Sequence, residues 1–285
     1  LPLEERMIRR FNRYELKYIM PTSTCHDLID ELGNHVAPDP HGGTQGYPLV
    51  SLYYDSPALD CFWAKVDGIK YRRKVRLRIY PATNIEETVR GMVEIKQRSN
   101  RTVQKRRLEL PVPLAEALCA GTIDPVALGK LDELDGEVAS EVLYLVNALQ
   151  LRPAAITAYH RTAFVGSRYE RDLRITFDTN LRGRMHDLRV NQNVPNEALL
   201  TPDWSVMEVK ADERIPDWVT SLLGRHGCQT QRMSKYCAVI AHLSGIRAAN
   251  VGLPSIVVPG APPVSLAPRR VRTTPLPRAT APSSP

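Results

Sequence analysis

The stretch Arg72-Arg73-Lys74-Val75-Arg76-Leu77-Arg78-Ile79-Tyr80 decides how this chain folds. Side chains on a β-strand alternate between two faces, so Arg72, Lys74, Arg76 and Arg78 share one face and Val75, Leu77 and Ile79 the other. A single strand of this kind is ordinarily amphipathic, with its charged side in water. Here the division recurs. In Val93-Glu94-Ile95-Lys96-Gln97-Arg98 the residues Glu94, Lys96 and Arg98 oppose Val93 and Ile95, and Val206-Met207-Glu208-Val209-Lys210 repeats the pattern. Glu15 with Lys17, and Arg174 with Asp178 around Leu173, Ile175 and Phe177, add two more strands. Five charged faces are most economically placed together, inside a closed or nearly closed antiparallel β-barrel whose apolar outer face is covered by helices.

Working outward, alternation predicts strands near 12–19, 49–55, 71–80, 90–98, 102–111, 155–165, 172–179 and 204–211. Helical spacing predicts helices at 24–36, after Pro21 with Ser23 and Thr24 as caps, and at 57–66, 113–120, 137–150, 216–226 and 234–246. The expected fold class is α+β, with a charged lumen and external helices. No repeat and no boundary divides residues 1–249, which read as one domain. From Asn250 to Pro285 the chain holds nine prolines, four arginines and no acid, and reads as a disordered tail in which Arg269, Arg270 and Arg272 can touch an anionic surface.

The 285 residues are 43% hydrophobic, which supports a sizeable core and excludes global disorder. The formal net charge is +7, of which the tail holds four, so the folded part carries a modest surplus. That argues against a general nucleic-acid coat and for basic residues gathered in one place. Five widely spaced cysteines without a C-x-x-C pair fit a reducing compartment, and no apolar run approaches the length of a membrane span, so the expected location is cytoplasmic. The seven histidines show no paired metal spacing, and no G-x-x-x-x-G-K-[ST] loop exists. Side chains must therefore hold any nucleotide.

Two cations 6 Å apart repel by roughly 3 kcal/mol at an effective dielectric near 20, so a cation-lined lumen is strained when empty and relieved by a polyanion. Arginine forks and lysine ammonium groups suit phosphate oxygens, and interleaved carboxylates suit a divalent ion that bridges phosphates. A triphosphate or polyphosphate fits such a bore. A nucleic-acid duplex does not.

Several segments together carry a family resemblance: Arg13-Tyr14-Glu15-Leu16-Lys17-Tyr18, Leu52-Tyr53-Tyr54-Asp55, Val75-Arg76-Leu77-Arg78-Ile79-Tyr80, Val93-Glu94-Ile95-Lys96, Tyr159-His160-Arg161-Thr162-Ala163-Phe164, Val206-Met207-Glu208-Val209-Lys210 and Ser234-Lys235-Tyr236. From about Phe11 to Leu243 the chain resembles the VTC domain, the polyphosphate polymerase branch of the triphosphate tunnel metalloenzymes. The resemblance implies an antiparallel tunnel that binds ATP and Mn²⁺ or Mg²⁺ and transfers the terminal phosphoryl group to a growing polyphosphate chain. It places Lys17, Arg76, Arg78, Lys96, Arg161, Lys210 and Lys235 on the phosphate-binding positions and Glu208 on the metal-binding glutamate. Lys74, Arg174, Lys105 and Arg107 join the basic set by sharing its faces, and Glu94 either assists Glu208 with the metal or neutralises Lys96 or a cross-strand arginine. Arg13 stands where the hydrolase and cyclase branch opens with a glutamate, which weakens a triphosphatase or cyclase reading. Two alternatives stay open: a triphosphate or polyphosphate hydrolase on the same scaffold, and a non-catalytic binder of polyphosphate or inositol phosphates. With no membrane span visible, export of a polymer requires a separate membrane partner.

Overall fold

The computed structural model describes residues 14–81, 89–100, 102–167, 169–212 and 214–246. Arg13, the predicted tail and its arginines lie outside the described residues.

In chain order the elements are β1 (Tyr14–Pro21), α1 (Thr22–Leu32), β2 (Val36–Pro38), β3 (Tyr47–Asp55), α2 (Asp60–Val66), β4 (Tyr71–Ile79), β5 (Arg90–Ser99), β6 (Thr102–Pro111), α3 (Val112–Ala120), α4 (Pro125–Leu128), α5 (Glu133–Leu149), β7 (Arg152–Gly166), β8 (Arg174–Arg184), β9 (Glu197–Ala198), β10 (Trp204–Ala211), α6 (Asp217–Arg225) and α7 (Lys235–Leu243). All ten strands belong to one sheet of order β1-β10-β8-β7-β3-β4-β5-β6, with β2 added to β7 and β9 to β8. The described pairings are antiparallel.

The predicted strands all form, and the differences are local. The first helix starts at Thr22, with Pro21 in the capping position and Ser23 and Thr24 inside the first turn. It stops at Gly33, whose φ of +46° breaks the helical path, and Val36–Pro38 then pairs with β7 instead of extending the helix to residue 36. Helix α5 begins four residues earlier than its apolar spacing suggests, because the Asp132 carboxylate accepts from the Asp135 amide and caps it. β2, β9 and α4 were too short to leave a periodic signal.

Three apolar clusters hold the sheet. On the outer face, Val75, Leu77, Ile79, Val93, Ile95 and Leu108 pack with Leu118 of α3 and with Val142 and Leu145 of α5. Also outside, Ile175, Phe177, Met207 and Val209 pack with Leu28 and Leu32 of α1 and with Val219 and Leu222 of α6. Each such fully buried side chain contributes about 1.5–3 kcal/mol, and together they fix which face of every strand turns outward. Helices therefore cover the outside, as the alternation predicts. In addition, α2 and α7 occupy the inner side. Leu49, Ala155, Tyr159, Leu181 and Val206 cluster with Phe62 of α2 and with Tyr236, Val239 and Ile240 of α7. Leu49 shares a face with Ser51 and Tyr53, and Val206 with Glu208, so this cluster closes part of the concave face that carries the charges. Gly183 marks the contact: a Cβ there would stand 2.4 Å from Val239 Cγ2.

The sheet curls strongly. Lys96 of β5 lies 3.1 Å from Glu15 of β1, so the next-to-last strand of the path reaches the first across the hollow. Among the described residues no pairing joins β1 to β6. The free edge of β1 is instead met by Thr230, which bridges Tyr18, and by the Gln231 amide, which donates to the Lys17 carbonyl at 2.7 Å.

Candidate active site: a cation-lined lumen

Alternation on β1, β4, β5, β6, β7, β8 and β10 sends the charged residues into the hollow, where the central ones meet acids or hydroxyl groups. Glu208, on β10, is the hub. Its Oε1 is 2.9 Å from Lys235 Nζ and 3.4 Å from Lys17 Nζ, and its Oε2 is 3.0 Å from Lys210 Nζ and 4.0 Å from Arg161 Nη2. Burial pushes its carboxyl upward, but Lys17, Lys210, Lys235 and Arg161 outweigh burial and hold it well below the usual carboxylate range. Asp178 is fully buried beside it and accepts both arms of the Arg161 fork, at 2.6 and 2.7 Å, while Lys235 Nζ stands 2.6 Å away. Its pKa also falls below normal, burial being overcome by Arg161 and Lys235. Lys235 is the first residue of α7, whose amino end is capped by Ser234 accepting from the Cys237 amide. The inner helix thus delivers a cation that no strand could supply.

A second group centres on Glu94. Arg76 Nε donates to it at 2.5 Å, and Lys105, opposite Lys96 in register, pairs with its other oxygen. Of the readings left open for Glu94, the structure displays the cross-strand neutralising contact, to Arg76 rather than to Lys96. Lys96 turns to Glu15, which also takes Lys17 at 2.9 Å. Arg107 stands directly opposite Glu94 on β6. Glu94 and Glu208 share no ion-pair partner among the described residues.

Arg78 is buried with no carboxylate in ion-pair contact among the described residues, donating to Ser51 Oγ at 3.0 Å and Tyr159 Oη at 3.2 Å. Arg76 Nη1 donates to Tyr53 Oη at 3.0 Å. Burial raises the Tyr53 phenol, yet Arg76 and Arg78 together draw it down to about 8. Arg174 is tied to the buried Asp39, with Tyr47 Oη at 3.3 Å, which puts it at the rim rather than among the central cations. Lys74 touches Cys237 Sγ at 3.4 Å and lies 4.6 Å above the Tyr236 ring. Two fully buried hydroxyls on the inner face, Thr157 opposite Ser51 and Thr176 opposite Glu208, have no hydrogen-bond partner among the described residues.

One support was not legible from the charge pattern. Asp55, fully buried, accepts from the amides of Ser56 at 2.7 Å, Cys61 at 2.8 Å and Phe62 at 3.0 Å, and from the Tyr236 hydroxyl. It thereby caps α2 from outside the helix and fastens α7 to it. The Tyr236 ring stacks on Tyr53 at 5.1 Å, so the fastening reaches Arg76 through Tyr53 and Lys235 through the chain itself. Asp55, Tyr53 and Ser51 share one parity on β3, a signal that was available. Asp39 sits in a loop where parity says nothing.

Solved structures similar to the chain are distant in sequence. PH1819 protein from Pyrococcus horikoshii OT3 is similar over 81% of this chain and 99% of its own, at 12% identity and a TM-score of 0.41. A candidate adenylate cyclase from Bacillus halodurans is similar over 78% of this chain and 92% of its own, at 11% identity and a TM-score of 0.43. A chain of the Schizosaccharomyces pombe Mediator head module is similar over 76% and 96%, at 9% identity and a TM-score of 0.41. No curated protein matches the chain. The sequence signature of the VTC domain, in contrast, matches residues 12–244 without interruption, the span that builds the sheet, both inner helices and every cation of the lumen. The chain belongs to the VTC domain family.

Proposed function

We propose that the protein is a metal-dependent polyphosphate polymerase that uses ATP, passing its γ-phosphoryl group to a growing polyphosphate chain inside the lumen. The observation that carries this reading is the convergence of Lys17, Arg76, Arg78, Lys96, Arg161, Lys210 and Lys235, from six separate elements, onto one enclosed face. Phosphoryl transfer through a loose transition state asks mainly for alignment and for charge on the equatorial and leaving oxygens. Fixed cations meet that demand. Carboxylate partners act as internal counter-ions to all of them but Arg78, which Ser51 and Tyr159 hold, keeping the groups in place until phosphate oxygens take over the contact. Thr157 and Thr176 add two hydroxyl donors on the same face. The acceptor is the terminal phosphate of the chain, already ionised near neutral pH, so no side chain has to remove a proton. The apolar cluster beneath α2 and α7 keeps water from one side of the transfer.

The family implies a divalent ion. Among the described residues no group of three or more His, Cys, Asp or Glu converges as a ready-made metal site. A hard divalent ion is, however, also held by one or two carboxylates with substrate phosphates completing its shell, and Glu208 beside Asp178 suits that mode. We therefore assign Mn²⁺ or Mg²⁺ to Glu208 and the counter-ion role to Glu94. Bound there, the ion supplies neutralisation of charge shared between phosphate oxygens.

The test is incubation of the full chain with ATP and Mn²⁺ or Mg²⁺, with and without a short polyphosphate primer. A long, phosphatase-sensitive polymer is the expected product. Orthophosphate without polymer would identify the hydrolase, tight binding without turnover the non-catalytic binder, and full synthesis by Glu208→Ala would overturn the metal assignment. No helix of the described residues is long and apolar enough to cross a membrane, and transport of the polymer is assigned to a separate membrane partner.

A further inference from the structure

Apart from Arg78, which hydroxyl groups hold, the lumen cations differ in how they are neutralised. Those around Glu208, Asp178, Glu94 and Glu15 are neutralised by contacts of 4.0 Å or less. At the far end of the β4–β5 hairpin the situation differs. Arg72 stands directly opposite Arg98, and one pleat further in Lys74 stands opposite Lys96, which in turn faces Lys105. Like charges placed directly across a ladder destabilise a sheet. Of these, Arg72, Lys74 and Arg98 pair with no carboxylate among the described residues. Arg72 donates to the Ile69 carbonyl, Arg98 to the Asn100 carbonyl at 2.9 Å, and Lys74 meets the Cys237 thiol and the Tyr236 ring. Lys65, on the inner helix α2 that packs against β4, adds a fourth cation, and burial together with Arg72 draws its ammonium down to about 8. All four are at least partly open to solvent.

We propose that Lys65, Arg72 and Arg98, continuing from Lys74, form a second anion subsite at this mouth of the lumen that takes the distal part of a polyphosphate chain. The proposal rests on the polyphosphate reading above and deepens it. Arg72 and Arg78 are six residues apart on one strand, roughly 20 Å at about 3.3 Å per residue, so a triphosphate seated at Arg78 does not reach Arg72. Only a longer chain engages both. The mouth therefore distinguishes a polymer from ATP or tripolyphosphate, which the inner cations alone cannot do.

The experiment measures binding of inorganic tripolyphosphate and of long-chain polyphosphate by isothermal titration, in chelator-treated buffer, to the full chain and to the triple variant Lys65→Gln/Arg72→Gln/Arg98→Gln. A control variant, Lys130→Gln/Arg182→Gln/Arg189→Gln, removes the same charge from exposed positions elsewhere. Circular dichroism establishes that each variant is folded. The expected result is a loss of about tenfold or more in long-chain affinity, corresponding to roughly 1.4 kcal/mol, with tripolyphosphate affinity within about twofold of the parent and the control unchanged for both. Equal long-chain affinity in the mouth variant and the control overturns the subsite. A parallel loss for both ligands in the mouth variant overturns its independence from the inner site. If the parent chain binds neither ligand, the polyphosphate reading itself falls, and the subsite with it.

Discussion

Replacing Glu208 by Gln removes the charge that Lys17, Lys210, Lys235 and Arg161 share while keeping the side chain's size. Breaking a buried ion pair from one side costs about 3–5 kcal/mol, because the partners stay buried and uncompensated. Asp178 still holds Arg161 and Lys235, and Glu15 still holds Lys17, so the lower end, about 3 kcal/mol, is expected. For a domain of this size 1 kcal/mol corresponds to about 2–4 °C in Tm, giving a fall of about 6–12 °C for the ligand-free variant. The same unpaired cations make a better anion site. Metal-free tripolyphosphate should therefore raise Tm more in Glu208→Gln than in the parent, recovering most of the lost stability, while synthesis of polymer is not recovered. Differential scanning fluorimetry across a tripolyphosphate series reads both effects. A variant as stable as the parent without ligand, or one that gains less from tripolyphosphate, would refute the view of these carboxylates as counter-ions standing in for phosphate.

Three further outcomes follow from the same geometry. Glu208 and Glu94 are held well below the ordinary value of 4.5, so their contribution to stability is complete above that value and is lost as pH falls through the lower folded-state values; urea unfolding between about pH 5 and 3 should show stability falling with pH more steeply in the parent than in Glu208→Gln. Tyr236→Phe keeps the stack on Tyr53 but leaves Asp55 without its hydroxyl donor, and should cost about 1–3 kcal/mol by chemical denaturation, with a rise in KM for ATP larger than any fall in kcat if α7 positions Lys235. Gly183→Ala drives a methyl group into Val239 and towards the Ile156 carbonyl, and should cost about 1–3 kcal/mol by lifting α7 from β8, whereas alanine at half-buried Gly136, with nothing near its Cβ, should leave Tm unchanged or slightly raised.

Much of this architecture was readable before any coordinates, for a particular reason. A period of two over Arg72–Ile79, Val93–Arg98 and Val206–Lys210 assigns every side chain to a face, and the apolar partners Val75, Ile95 and Val209 can be buried only under helices. Facing charges inward then follows from counting strands. The family motifs placed Arg161 and Lys235 as well, although neither is announced by a long alternating run. Partnership was beyond reach. Which carboxylate serves which cation depends on register and curl: Lys96 finds Glu15 on a strand 81 residues away, and Lys235 finds Asp178 and Glu208 because an entire helix enters the hollow.

The sequence by itself determined the faces, because strand periodicity and the need to bury aliphatic side chains are local and leave one consistent solution. Only the tertiary structure decided which cations are neutralised and which are not. Ion-pair geometry is a sum over residues brought together by sheet register, by the register shifts between β3 and β7 and between β7 and β8, and by the packing of α2 and α7 against Gly183 and Asp55, none of which leaves a trace in the spacing of residues along the chain.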